Sequence, residues 1–287
     1  MPKTRLSRQA AAVITGAGSG IGRAFALELA ARGGRVVCSD IDIGQAEATV
    51  ELIECAGHGK ARSIGCDVTR LEDVERLAGA AEAWFGGPAD LVINNAGVGA
   101  GGDRIGELSM ADWQWVMDIN FWGVVHGCHV FAPRLRAAGR GGMINVASTA
   151  SFAAAPRMAV YNASKAAVLA LTETLAAELA DTPVRVTALC PTFVQTNIMR
   201  SGRISASSSK LADNLMRWTG VPAERVVQSA LAGLDRGQLY VLPQADARLV
   251  WRLKRLLPSS YTRGAGLLDR FARRNAAPAD LASTTPE

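Results

Sequence analysis

Ala11-Ala12-Val13-Ile14-Thr15-Gly16-Ala17-Gly18-Ser19-Gly20-Ile21-Gly22 reads as a short apolar strand running into a glycine-rich turn, and a helical pattern from Arg23 to Ala31 follows it. Glycines at 16, 20 and 22 let the backbone turn tightly and approach a pyrophosphate, whose charge is held by exposed N–H groups at a helix N-terminus. A glycine-rich turn alone says little. Here the context is complete: a strand before, a helix after, and a second strand, Arg35–Ser39, ending at Asp40. That acid stands about twenty residues past the loop, where a carboxylate accepts the hydroxyls of an adenosine ribose.

Outward from this unit, apolar runs at Ala61–Cys66, Leu91–Asn94, Gly142–Ala147, Val184–Cys190 and Gln238–Leu242 alternate with apolar-periodic helical stretches. No Pro/Ser-rich linker interrupts them before residue 243 and there is no internal repeat. Alternating strands and helices give a parallel sheet with helices on both faces. The expected fold is α/β: a single doubly wound Rossmann domain over residues 1–242 with a mostly seven-stranded parallel sheet, then a basic helical extension over 243–287.

Val160-Tyr161-Asn162-Ala163-Ser164-Lys165 places a tyrosine and a lysine four residues apart in an Ala/Leu-rich helical run, so both side chains share one face. A phenol serves as general acid or base near neutral pH if its pKa is lowered, and an ammonium beside it stabilises the phenolate by charge attraction. The pair is proton-transfer machinery.

Together these residues resemble the short-chain dehydrogenase/reductase family, from about Ala11 to Leu242. Thr15 through Gly22 is similar to the family's TGxxxGIG loop, where most dinucleotide folds show GxGxxG. Cys66-Asp67-Val68 resembles the segment whose acid contacts the adenine, and Asn94-Asn95-Ala96-Gly97 resembles the NNAG segment after the fourth strand. Asn120 lies where the family has a helix asparagine, and Ser148 precedes Tyr161 by the family's interval. The resemblance implies four catalytic residues. Tyr161 exchanges a proton with the substrate oxygen; Lys165 lowers the phenol pKa and bonds the nicotinamide ribose; Ser148 holds the substrate oxygen; Asn120 positions a water leading from Lys165 to solvent. It also implies cofactor contacts from Gly16, Ser19, Gly20, Ile21 and Gly22, from Asp40, Asp67 and Val68, from Asn94, Ala96 and Gly97, and from Pro191, Val194 and Thr196. One position departs from the pattern. The family has Pro-Gly after the sixth strand and this chain has Pro191-Thr192; threonine tolerates positive φ poorly, so the turn must adopt another conformation or shift.

The expected cofactor is NAD, with NADP disfavoured because Asp40 would repel a 2′-phosphate. Arg23 and Arg35 are the residues that could overturn this by reaching a phosphate. The positions expected to face substrate, near Val98, Ala150, Phe152, Met158, Val194, Ile198 and Met199, are mostly apolar, which suits a lipophilic secondary alcohol or ketone. A Ser-rich stretch, 201–209, suggests a substrate lid within about 191–220. The alternative to an enzyme is a nicotinamide-binding sensor or interaction protein with little turnover; intact Asn120, Ser148, Tyr161 and Lys165 favour the enzyme.

Five cysteines, at 38, 55, 66, 128 and 190, form no CxxC pair, which points to free thiols, a reducing compartment and a cytoplasmic location. His126 and His129 have no nearby ligand set, so no metal is expected. The first strand begins too early for a cleavable signal, and no apolar run is long enough to span a bilayer. The formal charge is +5, yet residues from 243 onward hold eight basic and four acidic side chains, a balance of +4, so the body lacks the basic face of a nucleic-acid binder. In that extension Leu249, Val250, Leu253, Leu256 and Leu257 share a helical face opposite Arg248, Arg252 and Arg255; past Pro258, Leu267, Leu268 and Phe271 begin a second run. The favoured expectation is packing on the body or a neighbouring subunit, with contact to anionic lipid as the alternative. The family resemblance implies a homodimer or homotetramer.

Overall fold

A computed structural model describes residues 5–195, 202–204 and 220–275. Seven parallel strands form one sheet: β1 (Ala11–Thr15), β2 (Arg35–Asp40), β3 (Lys60–Gly65), β4 (Leu91–Asn94), β6 (Gly142–Val146), β7 (Arg185–Leu189) and β9 (Tyr240–Val241), in the order β3-β2-β1-β4-β6-β7-β9. A separate two-residue ladder joins β5 (Ala100–Gly101) to β8 (Arg203–Ile204). The strand order reverses between β1 and β4. In such a sheet the crevice beyond the carboxyl ends of those two strands is the natural ligand site.

Covering helices explain why every residue of β1 and β6 is buried. Successive side chains of a strand point to opposite faces, and the two core layers sort accordingly. Val13, Val37, Val92 and Met143 face α3 (Leu71–Phe85), α5 (Gly123–Ala138) and α7 (Ala159–Glu178). Ile14, Val36, Ile93 and Ile144 face α1 (Gly20–Ala31), α2 (Ile43–Cys55) and α8 (Ala223–Asp235), where Phe25 and Leu29 of α1 are fully buried. Truncating Phe25 to alanine would cost about 3–5 kcal/mol. All seven expected strands are present, two with the expected ends and the others with ends shifted by at most two residues. This is a doubly wound Rossmann fold.

Three smaller elements shape the substrate end. A helix, α4 (Met110–Met117), starts at Ser109, whose hydroxyl accepts from the Asp112 N–H at 3.0 Å. It runs into α5 through a widened π-type turn at Asp118–Trp122, which carries Asn120. A one-turn helix, α6 (Ala150–Ala153), separates β6 from α7, and the following loop holds Ala154 and Arg157 at positive φ.

The C-terminal extension is helical, as expected: α9 (Ala245–Leu256) and α10 (Pro258–Asn275). Its packing is one-sided. Ala247 is buried and Trp251 lies against Phe152 and Tyr240, whereas Leu249, Leu253, Leu256, Leu257, Leu267, Leu268 and Phe271 are exposed. Of the expected packing on the body or a neighbouring subunit, the part on the body is not made by the leucine face, which turns away from it. Among the described residues, no helix is long and apolar enough to cross a membrane, no His/Cys/Asp/Glu cluster could hold a metal ion, and all five cysteines are free.

Candidate active site

The glycine loop is held from both sides. Gly16 and Gly20 adopt positive φ, +65° and +51°, which side chains strain to reach. A Cβ on Gly16 would stand 2.8 Å from the Ala96 Cα, and one on Gly22 would run into the Gly16 carbonyl. The Thr15 hydroxyl accepts from the Asn95 and Ala96 N–H groups at 3.0 and 3.2 Å, while the Asn95 amide donates to the Thr15 and Gly16 carbonyls at 2.9 and 3.1 Å. Asn95 thus ties the β4 end to the loop. The resemblance implies cofactor contacts from its neighbours Asn94, Ala96 and Gly97, and the structure adds this bracing role for Asn95.

These residues fit a dinucleotide. Ser19 leads into α1 without capping it by its side chain, and the first turn holds no acidic residue. The positive amino end of α1 is left to an anion. Gly20, Ile21 and Gly22 stand in that first turn. Asp40, half-buried at the end of β2, accepts from the Gly18 N–H through Oδ2 at 2.9 Å and from the Asp42 N–H through Oδ1 at 3.1 Å, so its carboxylate is fixed beside the loop. Arg23 is spoken for: it donates to the Gly18 carbonyl, to Thr49 Oγ1 at 3.0 Å and to Gln45 Oε1 at 3.3 Å. Arg35 lies at the opposite end of the strands, on the Phe85 carbonyl and ring. Asp67 accepts from the Thr69 N–H and hydroxyl at 2.9 and 2.8 Å, and the neighbouring Val68 carbonyl meets His126 Nδ1 at 2.8 Å. Asn94 is placed differently. Its side chain turns into the core, donating to Asn145 Oδ1 at 2.8 Å, so only its backbone adjoins the crevice segment.

Past the carboxyl ends of β4 and β6 the expected catalytic residues come together. A Cβ on Gly97 would lie 3.1 Å from Asn120 Oδ1 and 3.4 Å from Lys165 Nζ. Asn120 is fully buried, accepting from the Val98 N–H at 2.7 Å and donating to the Val98 carbonyl at 3.0 Å and to Ser164 Oγ at 3.3 Å. The π-type turn supplies this inward placement, as such turns often do at functional sites. Lys165 donates from Nζ to the Val146 carbonyl at 3.0 Å and lies 5.9 Å from the centre of the Tyr161 ring. Burial of its ammonium lowers its pKa to about 8, with a smaller opposing pull from Cys190. Burial also raises the Tyr161 phenol above its ordinary range, and a hydrogen bond with the Ser148 hydroxyl pulls it back. Removal from water outweighs that bond.

The Pro191–Thr192 turn meets its missing glycine in an unforeseen way. Thr192 has no positive φ, so the backbone is unstrained. Its N–H donates to Gln244 Oε1 at 3.1 Å, its hydroxyl donates to Asp246 Oδ1 at 3.0 Å, and Gln244 Nε2 donates to the Phe193 carbonyl at 3.1 Å. The extension's first residues therefore clamp the turn. Only the amphipathic pattern marked this stretch in the sequence, and it gave no sign of that contact. Pro191 and Val194 are buried beside the turn, Val194 bridging to Val221. Thr196, Ile198, Met199 and most of the expected lid lie outside the described residues. Val98, Ala150, Phe152 and Met158 are half-buried around the substrate end.

Comparison with known proteins agrees with this geometry. Residues 10–205 match the family model for short chain dehydrogenases. The chain is 36% identical over 242 residues to 1-deoxy-11-beta-hydroxypentalenate dehydrogenase of Streptomyces avermitilis, covering 83% of this chain and 85% of that protein. It superposes on a short-chain dehydrogenase/reductase of Burkholderia phymatum solved with NAD, with a TM-score of 0.82, 34% identity, and 88% and 94% of the two chains covered. A short-chain dehydrogenase of Sphingobium yanoikuyae solved with NADPH gives a TM-score of 0.72 and 25% identity, covering 96% and 99%.

Proposed function

Because the chain belongs to the short-chain dehydrogenase/reductase family, we propose that it transfers a hydride between NAD(H) and a lipophilic secondary alcohol or its ketone, with Tyr161 as general acid/base. The observation that carries this reading is the placing of Lys165 Nζ and Asn120 Oδ1 against Gly97, past the end of β4 at the switch point of the sheet, with Lys165 Nζ 5.9 Å from the centre of the Tyr161 ring. A bound nicotinamide supplies the hydride acceptor or donor. In oxidation Tyr161 Oη takes the alcohol proton, and in reduction it returns a proton to the carbonyl oxygen. Ser148, whose hydroxyl pulls the phenol pKa down, holds the same substrate oxygen through Oγ. Lys165, taken out of water at 3% exposure, holds its ammonium beside the phenol ring, where the charge favours the phenolate as it forms. Asn120 fixes the Val98 backbone, and with it the apolar wall that meets the substrate body.

The family's solved members include NAD and NADPH complexes. Asp40 supports NAD here, because its carboxylate is fixed at the end of β2 beside the glycine loop, where it would meet the ribose, while Arg23 and Arg35 are bonded elsewhere. Ala96, Gly97, Asp67, Val68, Pro191, Val194 and Thr196 complete the proposed cofactor contacts. In this reading residues 1–242 form the catalytic domain, the protein assembles as a homodimer or homotetramer, and it works in the cytoplasm. The test is direct: purified protein and NAD with a panel of cyclic, aryl and medium-chain secondary alcohols, following NADH formation, and the matching ketones with NADH. Turnover above the cofactor-only blank for at least one pair is expected. No turnover in either direction across the panel would remove the dehydrogenase reading.

A further inference from the structure

The extension carries a surface that the proposed reaction does not use. On α9 the body-facing side is marked by Ala247 and by Trp251, whose ring sits 4.8 Å from that of Phe152 and 5.1 Å from that of Tyr240. Leu249, Leu253 and Leu256 recur at four- and three-residue spacing on another side, exposed by 58, 40 and 76%. At helical periodicity Arg248 and Arg252 fall along one border of that stripe, while Arg255 stacks over the Trp251 ring at 4.1 Å on the body-facing side. α10 repeats the arrangement. Leu267, Leu268 and Phe271 are exposed, Arg263 and Arg270 border them, and the body-facing side is marked by Asp269, which pairs with Arg157 at 3.4 Å.

Charge follows the same division. The two helices contain eight Lys/Arg and two Asp. Both aspartates are drawn toward the body, Asp246 accepting from the Thr192 hydroxyl and Asp269 pairing with Arg157. The exposed leucines remain on the outside with Arg248, Arg252, Arg263 and Arg270.

We infer that the C-terminal helices lie on an anionic lipid surface, with the leucine stripes in the boundary between headgroups and acyl chains and the bordering arginines on the headgroup phosphates. Long cationic side chains beside an apolar stripe suit that boundary, because their stems stay in the apolar layer while their charges reach the headgroups. Each cation near such a surface adds attraction that salt weakens. A second copy is a poorer occupant. A two-fold contact sets the same patch against itself, which would bring arginine borders of like charge together. Neither helix is long and apolar enough to span the bilayer, so the contact lies in the plane of its surface.

The test uses the full-length protein and vesicles of phosphatidylcholine with or without phosphatidylglycerol, sedimented at low and high salt. Binding at low salt is expected with phosphatidylglycerol, at least about tenfold weaker without it, and weakened severalfold by high salt. The double variant Leu256→Glu/Phe271→Glu should lose binding while its melting temperature and NADH-binding fluorescence match wild type, since both side chains face solvent. Absence of vesicle binding at low salt, or binding that the double variant retains, overturns the inference. A vesicle-free oligomer that the double variant dissociates would give the surface to a second copy and overturn it too. None of these outcomes depends on turnover, so the dehydrogenase reading stands or fails separately.

Discussion

The two ends of the crevice are built by different means. At the β1–β2 end the geometry is made of backbone: glycines at positive φ, an uncapped helix terminus, and Asn95 and Asp40 bonded to main-chain groups of the loop. At the β6–β7 end it is made of side chains from distant segments, Ser148 and Tyr161 from either side of α6, and Thr192 held by Gln244, 52 residues away. A backbone-built site accepts the part of a ligand that never changes, a pyrophosphate and ribose. A side-chain-built site can be altered residue by residue, and there the chain departs from its family's pattern.

The sharpest way to break this comparison is Tyr161→Phe. The phenol sits among side chains and supplies only its hydroxyl, so its loss should cut kcat by at least about a hundredfold, the scale of a missing general acid/base. Cofactor affinity, set largely at the other end, should change by no more than about twofold. Near wild-type turnover would show that another group moves the proton.

Legibility in the sequence follows the same division. Strands buried on both faces are continuous apolar runs, and the glycine loop needs residues that no other type replaces, so Ala11–Thr15, Gly16–Gly22 and the acid at 40 could be read directly. The π-type turn at Asp118–Trp122 could not, because it carries no proline or glycine signal, and its Asn120 bonds to Val98, 22 residues earlier in the chain. Nor could the clamp on Thr192, since a glutamine after a short edge strand has no pattern of its own. The extension shows a subtler limit. Amphipathic spacing located the leucine face correctly, but Trp251, counted on neither side, decided which way the helix turned.

Lys165 offers the next largest effect. Its folded pKa, about 8, lies below its ordinary 10.5, so between those values the unfolded chain binds more protons and this group makes stability rise with pH. Buried Cys38, Cys128 and Cys190, each pushed up to about 12 from 9.0, act oppositely above their ordinary value, because the unfolded thiols ionise first. The Lys165 contribution is therefore read as a difference. Relative to Lys165→Met, the wild type should gain about 2 kcal/mol of unfolding free energy between roughly pH 8 and pH 9.5, measured by urea denaturation. A pH-independent difference would mean that the ammonium is not held out of water.

Asp40→Ala tests the backbone-built end. Removing the carboxylate removes both a ribose acceptor and the repulsion of a 2′-phosphate, so the ratio of kcat/KM for NAD over NADP should drop by about tenfold or more, mostly through KM. Equal use of both cofactors by the wild type would discard the preference outright.

The smallest effect belongs to Gln244, and it asks whether the extension is part of the site or only attached to it. Its amide accepts from the Thr192 N–H and donates to the Phe193 carbonyl, with Oε1 and Nε2 on successive residues of one turn. Gln244→Ala leaves both groups without their partner in a largely buried place, and each such loss is worth about 1 kcal/mol. Because that segment is where the family resemblance implies cofactor contacts from Pro191 and Val194, the loss should raise KM for NAD by about three- to tenfold and leave kcat within about twofold. Gln244→Glu keeps the acceptor and loses the donor, so it should fall between the two. If both variants matched wild type in KM, the Thr192 turn would stand without the extension. The β6–β7 end would then be as self-contained as the glycine loop opposite it.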